Sequence, residues 1–505
     1  MRLNGKVDEK RAFWTHRPVT DADWRRILAR YGGSPELHRC LDVAAQAGCR
    51  TIVVENRYVD ADYRSEYSSH WSLKFASRPA FTWRMHFFAD RIPNKEIPLL
   101  NEERDYLGYT ILRPLPVGTV GRTVLRPPRE LIRMNATLTM ARDRVSVFGS
   151  EFLLEGVPFY SQDGEYIRCA HAAAWVCHYI AATRGIVARQ LTSDIARAVP
   201  AELSEYRQRP SAGMTYPQLQ AVFHRLGHPA EMIFTDALPL ALALQPHTAT
   251  HTLRVSNDAR TRRNAIHGIL RRYLDSGLPV LLATAEHVIA IVGYYTERRG
   301  AVRFVACDDQ VGPYEVIDNL LLDPRGKNAE AIIAPLPPRA WLPGQEVEND
   351  TYTTLHSLQG HQPDISTQPL IDLGQRVARK EIQLRSFLLR SNDYKNNLIR
   401  QGRSADVVRA LRLANLSHWI WVVEAHGTGR IDRYGAVHAE FVYDSTSSAH
   451  PKPHRLACSY PGLTVITTPD DGRSNPITGP SEPWHSHLRV GTSEARETQR
   501  TPAQS

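Results

Sequence analysis

Cysteine is scarce in this chain: six thiols among 505 residues, at Cys40, Cys49, Cys169, Cys177, Cys307 and Cys458. They are too few and too scattered for the disulfide framework of a secreted scaffold. Long apolar runs are lacking too. None approaches the ~18 residues of a membrane span, and the opening segment MRLNGKVDEKRAFW has no apolar signal core. Internal repeats are absent, and so are transporter-like segments. These absences predict a cytoplasmic globular protein with no membrane partner. Positively, 42% of residues are hydrophobic, enough for a sizeable core. At ~150 residues per domain the length predicts two to four units. The net charge is +9, but arginine dominates the basic set along the whole chain. That pattern fits a high-GC bacterial composition better than a stripe for an acidic partner.

The composition changes along the chain predict four stretches. Residues 1–148 read as an α/β region: WRRILARYGG and PELHRCLDVAAQAG have helical spacing and end at glycine, and short β-rich runs follow. This region carries no catalytic motif and suits packing or recognition. Residues 149–343 run from a strand, FLLEGVPFY, through an Ala-rich helix to a strand-rich block. Residues 344–468 form an α+β region, in which QRVARKEIQLRSFLLR is expected to be helical. Residues 469–505 are polar and rich in Pro, Gly, Ser and Thr, and are expected to be disordered.

Chemistry concentrates in the second stretch. Cys169 opens the helix CAHAAAWVCHYIAATRG after a polar loop. The N–H groups and dipole at a helix start stabilise an anion, so a thiol there ionises more easily. Gln162, in the loop before it, would form an oxyanion hole with the Cys169 N–H. His287 opens the strand HVIAIVGYY, and AVRFVACDD follows after the turn segment TERRG. An antiparallel hairpin there sets the start of the first strand against the end of the second. His287 is therefore expected opposite Asp308 or Asp309, whose carboxylate would orient the imidazole. A one-residue slip in register exchanges the two, so periodicity does not choose between them.

The sequence of a VPFYSQ strand, a loop, a Cys before an Ala-rich helix, then HVIAIVGYY and a strand ending in Asp resembles the bacteriocin-processing (double-glycine leader) peptidase-like branch of the papain-like cysteine peptidases. The resemblance covers roughly residues 150–325. It implies an α+β fold: a papain-like core with a helical half carrying the nucleophile and an antiparallel sheet half carrying the base, flanked here by N- and C-terminal α/β regions. It implies Cys169 as nucleophile, His287 as base, Asp308 as the third member and Gln162 as oxyanion donor. Ala170 stands where relatives commonly have Gly. The expected activity is cleavage of a peptide or isopeptide bond in a protein or peptide substrate, with no metal and no organic cofactor. The alternatives are a transamidase or acyltransferase using the same thiol, or a catalytically silent papain-like binding module.

Other constellations are weaker. Cys169, His171, Cys177 and His178 do not have zinc-ligand spacing, and Cys169 and His171 fall on divergent helix faces. From Arg376 to Arg412 ten basic residues face three acids (Glu381, Asp393 and Asp406). Without a nucleic-acid-reading motif, that segment reads as solvated helix faces, and nucleic acid is not favoured as a partner. Trp175, Trp419 and Trp421 read as packing residues, and Trp484 as a possible groove residue.

Overall fold

β-branched and aromatic runs build three antiparallel sheets in a computed structural model of the chain. It describes residues 12–200, 211, 213–235, 259–298, 300–318, 320, 323–358, 368–379, 381–427, 436–449, 452–467, 474–479 and 483–488. Helices and strands are both abundant, and the class is α+β.

The first sheet comes from the N-terminal third: β1 (Phe13–His16), β2 (Thr51–Tyr58), β3 (Thr82–Phe88), β4 (Tyr106–Leu112) and β5 (Val120–Leu125). A two-residue strand β6 (Thr137–Leu138) leaves for the second sheet, and β7 (Ala141–Val147) and β8 (Ser150–Phe159) complete the first in the order β1-β2-β3-β4-β5-β8-β7. β8 changes character along its length. Residues 150–155 alternate exposed and buried beside β7, whereas Gly156–Phe159 are wholly buried beside β5. Gly156 permits this approach, since a Cβ there would stand 2.1 Å from the Leu125 carbonyl oxygen. The helix Pro35–Ala47 is capped by Ser34, opens on proline and stops at Gly48 in the left-handed conformation. Its apolar face (Leu37, Cys40, Leu41, Ala44) is buried in the same core.

The second sheet holds β9 (Ala230–Phe234), β10 (Val280–Ala283), β11 (Val288–Thr296), β12 (Val302–Asp308), β13 (Gly312–Ile317) and β14 (Ala331–Pro335), in the order β13-β12-β11-β10-β14-β9, with β6 on β11. The helix Cys169–Thr183 is buried from Ala170 to Ala181, and its small side chains suit a central position. Trp175 is buried within it.

Met1–Asp236 with Gly277–Pro338 forms one compact unit, and Ala237–Ser276 with Arg339–Ser505 the other. The expected boundary between 148 and 149 is not a boundary in the structure. β8 hydrogen-bonds to β5, and one apolar cluster runs from Ile27 through Trp175 to Ile333. The helix Ala259–Asp275, expected in the second stretch, belongs to the other unit.

That other unit carries the third sheet: β15 (Ile382–Arg390), β16 (Trp419–Gly427), β17 (Ala436–Asp444), β18 (Arg455–Tyr460), β19 (Leu463–Thr467) and β20 (Ser474–Thr478) in sequence order, with β21 (Trp484–His485) on β17. Two expectations change here. QRVARKEIQLRSFLLR is not one helix: the helix ends at Ala378 and β15 begins at Ile382, pairing with all of β16. Its buried residues (Ile382, Ser386, Phe387, Leu388) fall on both faces of a strand rather than on one helical stripe. The chain after 469 is not wholly disordered. β20 and β21 are laid onto the sheet by backbone hydrogen bonding, and Trp484 is buried, so it packs rather than lining a groove. Residues 489–505 of that stretch lie outside the described residues. Trp419 and Trp421 are likewise buried.

Candidate active site

The loop that delivers Cys169 is closed by its own aspartate. Asp163 Oδ1 accepts the N–H groups of Glu165, Tyr166 and Ile167 at 2.8, 2.7 and 3.1 Å, and the Asp163 N–H donates to the Ile167 carbonyl at 2.9 Å. Side chains of this kind that bind their own following backbone favour tight turns over regular structure. Arg168 then precedes the helix with extended backbone angles, and Cys169 is its first residue. The first turn of a helix has N–H groups without intrahelical acceptors, which face whatever anion forms at its mouth.

The base of the loop is anchored on the first sheet. The fully buried Arg113 donates through Nη2 to the carbonyls of Ser161 (2.7 Å) and Gly118, and through Nη1 to Glu66 at 3.1 Å. Tyr160 closes the group by donating to Glu66 at 2.6 Å, under a guanidinium 4.5 Å from its ring centre. Gln162, half-buried, has its backbone wedged on Gly118, where an added Cβ would lie 1.9 Å from the Gln162 carbonyl oxygen.

His287 sits at a tight hairpin between β10 and β11. The Thr284 N–H donates to the His287 carbonyl at 2.8 Å, the His287 N–H donates to Thr284 Oγ1 at 3.0 Å, and Ala283 pairs with Val288. β11 and β12 pair antiparallel, which carries the end of β12 to the same edge. His287 Nε2 is 3.0 Å from Asp308 Oδ1 and 3.8 Å from Asp309 Oδ1. Asp308 is also held by the Gln310 N–H (3.0 Å) and by Arg325 Nη1 (2.8 Å), and Arg325 in turn binds Glu315 and Asp323. Asp309 is buried with both oxygens free of hydrogen bonds.

The other ring nitrogen, Nδ1, makes no hydrogen bond, and the Cys169 thiol is among the groups that act on the imidazole. Burial alone lowers the His287 pKa. The hydrogen bonds with Asp308 and Cys169 and the charges of both aspartates outweigh it and lift the imidazole to about 10. Burial likewise works to raise the Asp308 pKa, but His287, the Gln310 N–H and Arg325 hold it below the usual carboxylate value. For Asp309, burial and the neighbouring Asp308 charge outweigh the His287 charge, and the carboxyl rises to about 7.

Cys169 is the one cysteine of the six that is not buried. Burial raises the other thiols, Cys40 and Cys49 to about 12 and Cys177, Cys307 and Cys458 also upward. The residues once weighed as metal ligands are engaged otherwise. His171 Nδ1 accepts the Arg168 N–H, and His178 Nδ1 faces His228 Nε2 at 3.1 Å. Among the described residues two other groups bring three donor atoms together: His287, Asp308 and Asp309, and Glu424, Glu440 and His487.

Sequence spacing located Cys169, His287 and the Asp308–Asp309 pair, but not their supports. Glu66, Arg113 and Gly118 come from helix and loop positions well before the Cys169 loop, Arg325 from a short helix after Asp308, and no motif marks them. Gly118, following the prolines of RPLPVG, is a local sign of an unusual backbone.

No family model matches the chain, and no curated protein matches it. Among solved structures, the crystal structure of UfSP from C. elegans aligns with a TM-score of 0.23 and 13% identity over 36% of this chain. The alignment spans 34% of that protein's length. A likeness of this extent carries no conclusion about fold or activity. Among the described residues, no helix is long and apolar enough to cross a membrane.

Proposed function

We propose that the chain is a papain-like cysteine hydrolase that cleaves a peptide or isopeptide bond through Cys169, His287 and Asp308. The observation that carries this reading is the convergence of three groups: a partly exposed thiol at a helix mouth, an imidazole on which that thiol acts, and a carboxylate 3.0 Å from Nε2 of the same ring. The thiol gives its proton to His287 Nδ1, and the resulting sulfur anion attacks the substrate carbonyl carbon. The tetrahedral oxyanion is received by the Cys169 N–H and the Gln162 amide. His287 then protonates the leaving nitrogen, and the C–N bond breaks to leave a thioester on Cys169. Water, deprotonated by His287, adds to the thioester and releases the acid and the free thiol. Asp308, fixed by Arg325 and the Gln310 N–H, keeps Nε2 protonated throughout, so that Nδ1 does the proton transfer. Asp309, farther from the ring and with its carboxyl raised to about 7, is not assigned the orienting role. The first sheet supports the Cys169 loop rather than standing as a separate recognition domain.

The test is reaction of the full chain with a peptidyl chloromethyl ketone followed by peptide mass mapping. The reading expects one adduct, on Cys169, lost in His287→Ala. Labelling of Cys169 no faster than that of Cys458 would contradict it. Products carrying an added amine, from incubation of acyl-enzyme with glycine amide, would assign the same thiol to transamidation instead.

A further inference from the structure

Two glutamates meet across the third sheet. Glu424 on β16 and Glu440 on β17 are directly paired, and both are at most 1% exposed. Like charges opposite each other destabilise a sheet, and burial makes their repulsion worse. Partners surround them. Glu424 accepts from Ser486 Oγ (2.6 Å), His426 Nε2 (3.0 Å) and the His487 N–H (2.9 Å). Glu440 accepts from Tyr394 OH at 2.8 Å, and Arg403 Nη2 lies 2.6 Å from its other oxygen. Two carboxylates with one guanidinium beside them leave a formal negative charge in the interior.

His487 indicates what answers it. Its ring is 2% exposed and stacks on Tyr394 with centroids 4.5 Å apart. Nε2 approaches Glu440 Oε2 to 3.1 Å, yet neither ring nitrogen makes a hydrogen bond. An imidazolium would aim an N–H at the carboxylate. Two donors that share one ion instead lie side by side, and bonds of ~2.0–2.1 Å put neighbouring tetrahedral donors ~3.3 Å apart. The donor atoms of Glu424, Glu440 and His487 all lie within 4.8 Å of one another.

We propose that Glu424, Glu440 and His487 bind a divalent transition-metal ion, with zinc the best chemical match. A mixed carboxylate and imidazole set suits zinc, whereas magnesium and calcium prefer oxygen donors alone. His426, Ser486 and Tyr394 orient the ligands by hydrogen bonding to the carboxylates. Arg403 offsets one carboxylate, and an ionised water in the fourth position brings the charge of the occupied cluster to zero. The ion clips the segment bearing β21 and His487 to the sheet. It takes no part in the Cys169 chemistry.

The experiment is titration of the full chain, first stripped with chelator, with Zn2+ by calorimetry and with Co2+ by visible absorption. One ion per chain is expected. It should be retained in His287→Ala, which removes the other histidine–aspartate group, and should raise the melting temperature. His487→Ala should weaken binding by at least ~100-fold and His426→Ala by ~10–100-fold. Intense cobalt bands of a four-coordinate site in the unmutated chain give a readout that needs no variant. Absence of metal uptake by the unmutated chain at micromolar ion would overturn the proposal in favour of an ion-pair network. Unchanged binding in a folded His487→Ala chain would overturn it as well.

Discussion

Replacing Asp308 by Asn keeps the size of the side chain and changes only what it offers to His287. The new amide has one acceptor oxygen, and Arg325 Nη1, 2.8 Å from Asp308 Oδ2, claims it. The NH2 group then points at Nε2, which becomes an acceptor, and the ring proton moves to Nδ1. A ring in that tautomer cannot take the Cys169 proton. The imidazolium, lifted to about 10 by Asp308 first among the groups that favour it, against the lowering effect of burial, also loses its main support and falls back toward 6.5 or below. An unassisted thiol is about 0.3% ionised at pH 6. Iodoacetamide alkylation of Cys169 at pH 6 should therefore slow by roughly 100-fold in the variant, and its rate should rise with pH as that of a free thiol does. In the unmutated chain His287 stays protonated until pH passes about 10, so Cys169 should alkylate faster at pH 6 there than in the variant. Turnover of a peptide substrate should fall by ~10²–10⁴. Alkylation uses no substrate, and the other five thiols are buried, so it reports Cys169 directly. A variant that alkylates at pH 6 as fast as the unmutated chain would refute the reasoning.

Asp309→Asn should stabilise the protein at pH 8 by roughly 1–3 kcal/mol in urea unfolding, by removing a buried charge without hydrogen bonds. The folded chain holds the Asp309 proton up to about pH 7 while the unfolded chain releases it near 3.8, so stability falls as pH rises across that window and the gain should vanish below it. Arg113→Met leaves Glu66 buried without its cation, and a loss of about 3–5 kcal/mol is expected in the same assay. Gly118→Ala forces a Cβ onto the Gln162 carbonyl at a backbone φ of +65°, so kcat of the folded variant should fall while alkylation of Cys169 stays within about threefold. An unchanged kcat would show that Gln162 does not depend on this contact.

The parts of the site that lie close together along the chain were readable from it. Cys169 announces itself by the polar loop and small-residue helix around it, and His287 and the aspartates by two apolar strands joined by a turn. Which aspartate meets the ring was not readable, because strand periodicity ends at Cys307 and the answer depends on how the chain turns into β13. The supports were hidden for a different reason. Arg113 and Glu66 meet only through the fold, and a lone arginine looks the same in sequence whether it faces water or a buried carboxylate. The same blindness made the 376–412 segment look like a solvated basic face. Arg403 is in fact buried against Glu440, and Arg385 binds Asp275. It also put the first boundary at 148, since β8 reads equally well as the start of one domain or the end of another until its pairing with β5 is known.

The central claim is that His287 activates the Cys169 thiol. Alkylation of Cys169 by iodoacetamide at pH 7, followed by peptide mass mapping, reads that activation without a substrate. The account predicts a rate at least ~10-fold lower in folded His287→Ala than in the unmutated chain. Equal rates with and without His287 would contradict it.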